Sequence, residues 1–283
     1  MTVSNDEQIA YWNGEAGQRW AQEDETMARL LRPVSEALLA HADVGACRSA
    51  IDVGCGGGSQ SMMLAAALPA GAKVLGVDIS EPMLEVARSR AVPAGSASVD
   101  FLCADASAHA FASDSFDLLF SRFGVMFFDD PAAAFGNLHS AMRSDGKLAF
   151  ACWQPLKNND WALVPIQAAL QHVQAPEASD PHAPGPFAFA DPERVEAILT
   201  TAGFTDIAVK PFTPMLRISE APTLAEAARN LARIGPVGRL LMGQDPAVLE
   251  KVFSAMEVVL EPHYQKGALE LPGAIWFVTA SVA

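Results

Sequence analysis

Basic residues are scarce in this chain: 19 Lys and Arg stand against 33 Asp and Glu, a formal net charge of −14 at pH 7. A protein that neutralises nucleic-acid phosphates needs a basic face, so DNA and RNA are disfavoured as substrates. Cysteine is scarcer still. Cys47, Cys55, Cys103 and Cys152 form no CxxC pair and no metal-ligand spacing. No metal site is expected, and the four read as small buried residues in a reducing, cytoplasmic compartment. No apolar run approaches the roughly 20 residues that span a bilayer. The N-terminal Met1-Thr2-Val3-Ser4-Asn5-Asp6-Glu7 lacks the basic head and apolar stretch of a signal peptide. Internal repeats are also missing. What remains is globular: 51% hydrophobic and 18% charged residues, with 283 positions to build one large core plus a substantial insertion.

The first forty-five or so residues read as a helical lead-in, because Met27, Leu30, Leu31, Val34, Leu38 and Leu39 recur at helical spacing. From about residue 49 the pattern alternates. Strands are expected over 50–53, 73–78, 99–103, 116–120 and 147–153. Helices fall between them at 60–68, after Ser80 as N-cap with Pro82 in the first turn, and at 132–142, stopped by Asp145-Gly146. Alternating βαβα units of this size imply a parallel, doubly wound sheet with right-handed crossovers. Past Trp153 the pattern breaks. Residues 174–187, with Pro176, Pro181, Pro184 and Pro186, read as an irregular loop. Asp191-Pro192-Glu193 starts a helix that ends at Gly203, and 207–212 is a sixth strand. Residues 221–234 and 246–264 have helical spacing and form an insertion before a seventh strand at 275–280.

The densest signal is Ile51-Asp52-Val53-Gly54-Cys55-Gly56-Gly57-Gly58-Ser59. It reads as the end of a buried strand, a glycine-rich turn and a helix N-terminus, the place where nucleotide-like cofactors sit in open α/β sheets. A dinucleotide fingerprint wants G-x-G-x-x-G or A. Counted from Gly54, its third position is Ser59, and the match fails. Asp78 ends the second strand, where an acid accepts hydrogen bonds from ribose hydroxyls. That feature does not discriminate among cofactors. Asp52, two residues before the first glycine, and Asp105-Ala106, directly after the third strand, do.

Asp52-x-Gly54-x-Gly56-x-Gly58, then Asp78, then Asp105-Ala106 resembles the class I S-adenosylmethionine-dependent methyltransferases. Phe116-Asp117-Leu118-Leu119-Phe120-Ser121 looks like that family's fourth-strand motif, and Met142-Arg143-Ser144-Asp145-Gly146-Lys147-Leu148 like its turn before strand five. The order and spacing hold over roughly residues 46–155. Within the family the chain is most similar to the ubiquinone/menaquinone-methyltransferase-like branch (types 11 and 25), which acts on small molecules. The resemblance implies an α/β fold: a doubly wound, seven-stranded, mostly parallel Rossmann-like sheet. Residues 1–45 are expected to form an N-terminal helical lid and 46–283 the methyltransferase domain, with insertions at about 154–190 and 214–270. It implies S-adenosylmethionine as cofactor and S-adenosylhomocysteine as product. Gly54, Gly56 and Gly58 would pack against the methionine part. Asp52 would brace that loop or reach the cofactor's amino group, directly or through water. Asp78 would hold the ribose, with Ile79 and Met83 beside the adenine, although an acid there also suits helix capping. Asp105 would accept from the adenine amino group, with Ala106 N–H facing the ring, or else cap its own loop. Ser121 would lie near the methionine moiety and the substrate entrance.

The chemistry asks little of the protein, because a sulfonium methyl is already electrophilic and displacement depends on a close, aligned nucleophile. An oxygen or nitrogen nucleophile would gain from a base. His172 and His182, flanking the proline-rich run, and Tyr11 are weak candidates, while His139 reads as packing. Arg122, after strand four, would bind an anionic substrate or close a salt bridge. Phe123, Phe127 and Trp153 fall at the carboxyl edge of the sheet. Tyr11, Trp12 and Trp20 form either a lid or a docked segment. Together these favour a small, apolar or aromatic acceptor. Two rivals are an NAD(P)-dependent oxidoreductase and a non-methylating S-adenosylmethionine-binding protein on the same fold. Monomer and homodimer are both compatible with the sequence.

Overall fold

The short apolar runs become the strands of one sheet, and their burial follows their place in it. The computed structural model describes residues 5–176 and 180–283. Residues 1–4 of the N-terminal stretch, and 177–179 within the proline-rich run, lie outside the described residues. In chain order the elements are α1 (Asp6–Asn13), α2 (Glu15–Gln22), α3 (Asp24–Ala42), β1 (Ser49–Val53), α4 (Ser59–Ala67), β2 (Lys73–Asp78), α5 (Glu81–Ser89), β3 (Ser98–Cys103), β4 (Phe116–Arg122), α6 (Pro131–Ala141) and β5 (Met142–Trp153). There follow α7 (Asp160–Ala169), α8 (Pro192–Thr201), β6 (Thr205–Phe212), β7 (Met215–Glu220), α9 (Leu224–Leu231), α10 (Gly235–Leu241), α11 (Pro246–Leu260), β8 (Tyr264–Gln265), β9 (Ala268–Pro272) and β10 (Ile275–Ser281). The chain divides into two units, one of Met1–Trp153, His182–Pro211 and Trp276–Ala283, the other of Gln154–Pro181 and Phe212–Ile275.

The first unit carries a seven-stranded sheet in the order β3-β2-β1-β4-β5-β10-β6. Strands β1 to β5 pair in parallel. Strand β10 runs the other way: Val282 N, just past its end, donates to Gly146 O near the start of β5 at 2.8 Å. Central β1 and β4 are buried along nearly their whole length, as strands covered on both faces must be. The edge strands β3 and β6 are only partly buried, and Pro211 is tolerated in β6 because an edge strand can do without one N–H. Phe120, Phe135, Phe150 and Phe189 are fully buried, with the rings of Phe135 and Phe150 5.7 Å apart. His139 packs edge-on to Phe204 at 4.9 Å. The order reverses between β1 and β4, so their crossovers depart in opposite directions and open a crevice at the carboxyl edge.

Several boundaries differ from the sequence reading. Strand β5 begins at Met142, not 147, because Phe116 pairs with Met142 and Leu118 already with Lys147. The Asp145-Gly146 turn therefore sits inside a wide bulge of the strand. Opposite it, Asp117 accepts from the backbone N–H groups of Arg48 and Ser49, at 2.9 and 2.8 Å. Ser80 does occupy the N-cap position of α5, yet its hydroxyl caps nothing and donates to Trp12 O at 2.7 Å.

The second unit is not purely helical. Strands β7, β9 and β8 form a three-stranded sheet, antiparallel at both pairings. Leu216, Ile218, Leu269 and Leu271 are its buried apolar residues, at period two along β7 and β9, and helix α9 packs on both strands. Asn159 organises the unit's first turn. Its Nδ2 donates to Gln154 O at 3.0 Å, and its Oδ1 accepts from Trp161 Nε1 at 3.2 Å and Ala274 N at 2.8 Å. The residue is fully buried. Asn159→Ala leaves those groups without partners, and we expect a stability loss of about 2–3 kcal/mol, read as a lower urea midpoint. An unchanged midpoint would contradict this bonding.

Candidate functional site

The carboxyl ends of β1 to β5 all open on one edge, and the polar and aromatic residues of interest gather there. After β1 the chain turns through left-handed backbone at Gly54, Gly56 and Gly58. Gly54 is irreplaceable on space as well as conformation, because a Cβ there would lie 2.5 Å from Gly124 Cα at the end of β4. Gly56 is less confined, and the nearest atom to its Cβ position is the Met83 methyl at 3.2 Å. Met83 and Ile79 both follow β2, Met83 buried and Ile79 half-buried.

Asp78 ties two turns together. One carboxylate oxygen accepts from Gly56 N at 2.8 Å and the other from Ser80 N at 2.9 Å. Burial raises its pKa, against the lowering effect of those backbone bonds. A carboxylate oxygen has room for about two bonds, so each can still take a hydroxyl donor. Asp105 is split. Its Oδ1 accepts from Ser107 N at 2.9 Å and Ser107 Oγ at 2.7 Å, capping its own turn, while no donor among the described residues meets Oδ2. Ala106 beside it is buried, and its carbonyl is held by Asn137 Nδ2 at 3.0 Å from α6.

Behind the loop lies a buried polar group of residues. Asp52 Oδ2 accepts from Ser61 Oγ at 2.6 Å, and Oδ1 has no partner among the described residues. Burial pushes this acid up to about 7, in spite of the Ser61 bond and Arg122. Arg122 Nη1 donates to Ser35 Oγ of α3 at 2.8 Å, and burial lowers its pKa to about 10 against the fields of Asp52 and Asp24. Ser121 is fully buried and its hydroxyl donates to Val53 O at 2.7 Å while receiving Gly124 N at 3.3 Å. It braces β1 to β4, and no free group of it faces the crevice.

The aromatic residues converge as well. Phe123, in left-handed backbone at φ 67°, lies flat on Trp153 with centroids 4.3 Å apart. Such a conformation costs a large side chain on the order of 1–3 kcal/mol, and the stack holds it. Trp12 meets Phe127 edge-on at 5.4 Å, Trp20 at 5.9 Å and Tyr11 at 5.3 Å. Asn13 fastens the same segment to the turn after β2, donating to Ile79 O at 2.8 Å and accepting from Glu81 N at 3.0 Å. His172 and His182 are both exposed, the first in the second unit and the second in the first.

Sequence reasoning missed Asn13, Asp24, Gln60, Arg90, Gly124 and Asn137. Asp24, at the start of α3, ion-pairs with Arg90, and Arg90 Nε donates to Gly57 O at 2.5 Å. A Cβ on Gly57 would run into the Asp24 carboxylate. The extra glycine in the loop makes room for this acid. Only that surplus glycine hinted at such a contact; the partners lie 33 residues or more away along the chain.

Residues 51–150 match the family model described as a methyltransferase domain. Nocamycin O-methyltransferase of Saccharothrix syringae is 30% identical over 192 residues, which cover 65% of this chain and 69% of that protein. Demethylmenaquinone methyltransferase of Thermus thermophilus is 31% identical over 170 residues, 55% of this chain and 73% of that one. Among solved structures, the YcgJ protein of Bacillus subtilis aligns with a TM-score of 0.57 at 14% identity, over 89% of this chain and 98% of its own. Phosphoethanolamine N-methyltransferase 2 of Haemonchus contortus, in complex with S-adenosyl-L-methionine, aligns at 0.55 and 18% identity, over 99% of this chain and 60% of its own. At those identities the structures speak to the fold alone. Among the described residues, no helix is long and apolar enough to cross a membrane.

Proposed function

The chain belongs to the class I S-adenosylmethionine-dependent methyltransferases, and on that premise we propose that it methylates a small, apolar or aromatic organic acceptor. The observation that carries the site assignment is the meeting, on one parallel carboxyl edge, of the glycine loop, Asp78, Asp105 and the aromatic cluster. The residues fit the cofactor. Asp78 and Asp105 keep acceptor capacity for ribose hydroxyls and an adenine amino group, Gly56 brings bare backbone close under the Met83 methyl, and Asp52 Oδ1 is a buried acceptor without a donor among the described residues. Ile79 and Ala106 stand beside the adenine seat, and the loop of Gly54, Gly56 and Gly58 underlies the methionine part. Ser121 enters only as a brace.

The bound cofactor supplies an electrophilic sulfonium methyl. The protein's part is to hold an acceptor in line and to keep water away, which is where most of the rate of such a displacement is found. Phe123 on Trp153 gives a flat apolar wall. Tyr11, Trp12 and Trp20, with Trp12 packed on Phe127, give a cover drawn from residues 1–45, which we assign as a lid on the 46–283 domain, with insertions at about 154–190 and 214–270. Four unpaired cysteines suit a cytoplasmic setting.

Calorimetric titration with S-adenosylhomocysteine, with NAD as control, tests the reading. We expect binding on the order of micromolar, weakened about 10- to 100-fold by Asp78→Asn, as the loss of charge-assisted bonds to two hydroxyls implies. Binding of NAD alone, or of neither, would remove both function and site.

A further inference from the structure

Helix α1 has little to hold it by itself. It is eight residues long with none of them buried, and helices so short do not persist in water unless something docks them. The docking is done at its last turn. Asn13 Nδ2 donates to Ile79 O at 2.8 Å, Asn13 Oδ1 accepts from Glu81 N at 3.0 Å, and Trp12 O accepts from Ser80 Oγ at 2.7 Å. The first N–H groups of a helix have no partner inside it. Glu81 opens α5, whose own N-cap residue makes no cap bond, and Asn13 satisfies its N–H from 68 positions away.

The place of these bonds matters more than their number. Residues 79–81 directly follow Asp78, whose carboxylate holds the Gly56 and Ser80 N–H groups. Beside Asn13, the ring of Trp12 meets Phe127, which follows β4, edge-on at 5.4 Å. In the sheet β1 lies between β2 and β4, and two strand spacings are about 10 Å. A segment fastened beyond both neighbours therefore crosses the end of β1, where the glycine loop begins. Further along, the same segment is anchored to that loop, by Asp24 on Arg90 and by Arg90 Nε on Gly57 O. The two attachments differ in kind. The anchor is an ion pair with a buried acid, whereas both Asn13 bonds are exposed to water. Exposed hydrogen bonds with little apolar burial behind them are where a fold opens locally.

We propose that Asn13 is the latch that governs exchange of cofactor for product. With its two bonds to the turn made, the segment of α1 and α2 closes over the glycine loop, and a ligand enters or leaves only when they part. Asn13 touches no reacting atom; it is a positioning residue that acts through the turn after Asp78. The inference rests on the methyltransferase reading, which puts the cofactor at that loop. A latch differs from a simple contact in its kinetics. A contact made only to the bound state slows departure alone. A latch that closes with and without ligand slows arrival as well, because only the open fraction exchanges.

Stopped-flow mixing with S-adenosylhomocysteine, followed by tryptophan fluorescence, to which Trp12 and Trp20 of the segment contribute, separates the two rates. We expect Asn13→Ala to raise the association and dissociation rate constants together, each about 10-fold, as the loss of two modest hydrogen bonds implies. The dissociation constant should stay within about three-fold, because a latch common to the free and bound states shifts neither against the other. Asn13→Asp keeps an acceptor for Glu81 N and loses only the donor to Ile79 O, so both rates should rise by less. Should Asn13→Ala fail to fold, Asn13→Asp carries the test, and both rates must still rise. A rise in dissociation alone, or no change in either rate, overturns the latch. A wild-type protein that does not bind S-adenosylhomocysteine would instead remove the methyltransferase site itself, and the latch with it.

Discussion

Gly54→Ala is expected to lower stability by roughly 2–5 kcal/mol and to abolish S-adenosylhomocysteine binding. Two costs combine. A side chain in left-handed backbone, here φ 69°, costs about 1–2 kcal/mol. The added Cβ also meets backbone, not a flexible side-chain tip: Gly124 Cα lies 2.5 Å away, and Gly124 in turn would place a Cβ 2.5 Å from Val53 O. Neither strand end can retreat without breaking the Ser121 brace, and forced overpacking of this kind adds about 1–3 kcal/mol. Gly71 separates the two contributions. It has a similar φ of 83° but nothing within 4 Å of its Cβ position, so Gly71→Ala should show the conformational part alone. Urea midpoints of the two variants measure the difference. Equal losses would mean that the close approach of β1 and β4 carries no weight.

The second large effect is a pH dependence centred on Asp52. Burial raises this acid from 3.8 to about 7, while Ser61 on α4 and Arg122 on β4 pull it down and Asp78 on β2 pushes it up. Between those values the folded protein holds a proton that the unfolded chain has released. Stability therefore falls as pH rises through the window from about 4 to about 7, by on the order of 4 kcal/mol for a shift of this size. Asp52→Asn has no such titration. Its stability relative to wild type should climb between pH 4 and pH 7 and level off above, while its affinity for S-adenosylhomocysteine drops. Thermal midpoints across pH for the two proteins give the result. Parallel curves would show that Asp52 does not titrate in this range.

Local chemistry in the sequence was enough for the elements that build the site. The run 73–78 matches β2 residue for residue, and Asp191-Pro192-Glu193 marked α8, whose cap is the Asp191 side chain accepting from Glu193 N. The glycine loop, Asp78 and Asp105 were legible because turns and strand ends have strict backbone needs. The second unit was less so. Strands β7 and β9 are only six and five residues long, too short for alternation to outweigh the helical spacing around them. Helix α7 carries Pro165 in its interior and was hidden by it. Ser80 had the right residue type for a cap, and only the fold revealed a better acceptor, Trp12 O, for its hydroxyl. The contacts of Asp24, Arg90 and Asn13 are set by packing between distant segments, and nothing adjacent in the chain announces them.

The contact of Asp24 and Arg90 with Gly57 has a consequence for how such a chain can change over generations. A side chain at position 57 evicts the acid, loss of the acid strands the guanidinium, and loss of the guanidinium frees the loop carbonyl. No member of the trio can drift alone, although one belongs to an N-terminal helix, one to the glycine loop and one to the stretch after α5. The helices ahead of β1 are therefore inherited with the loop as one piece. They cannot be exchanged for another cover, or trimmed away, without the glycine-rich turn itself being rewritten.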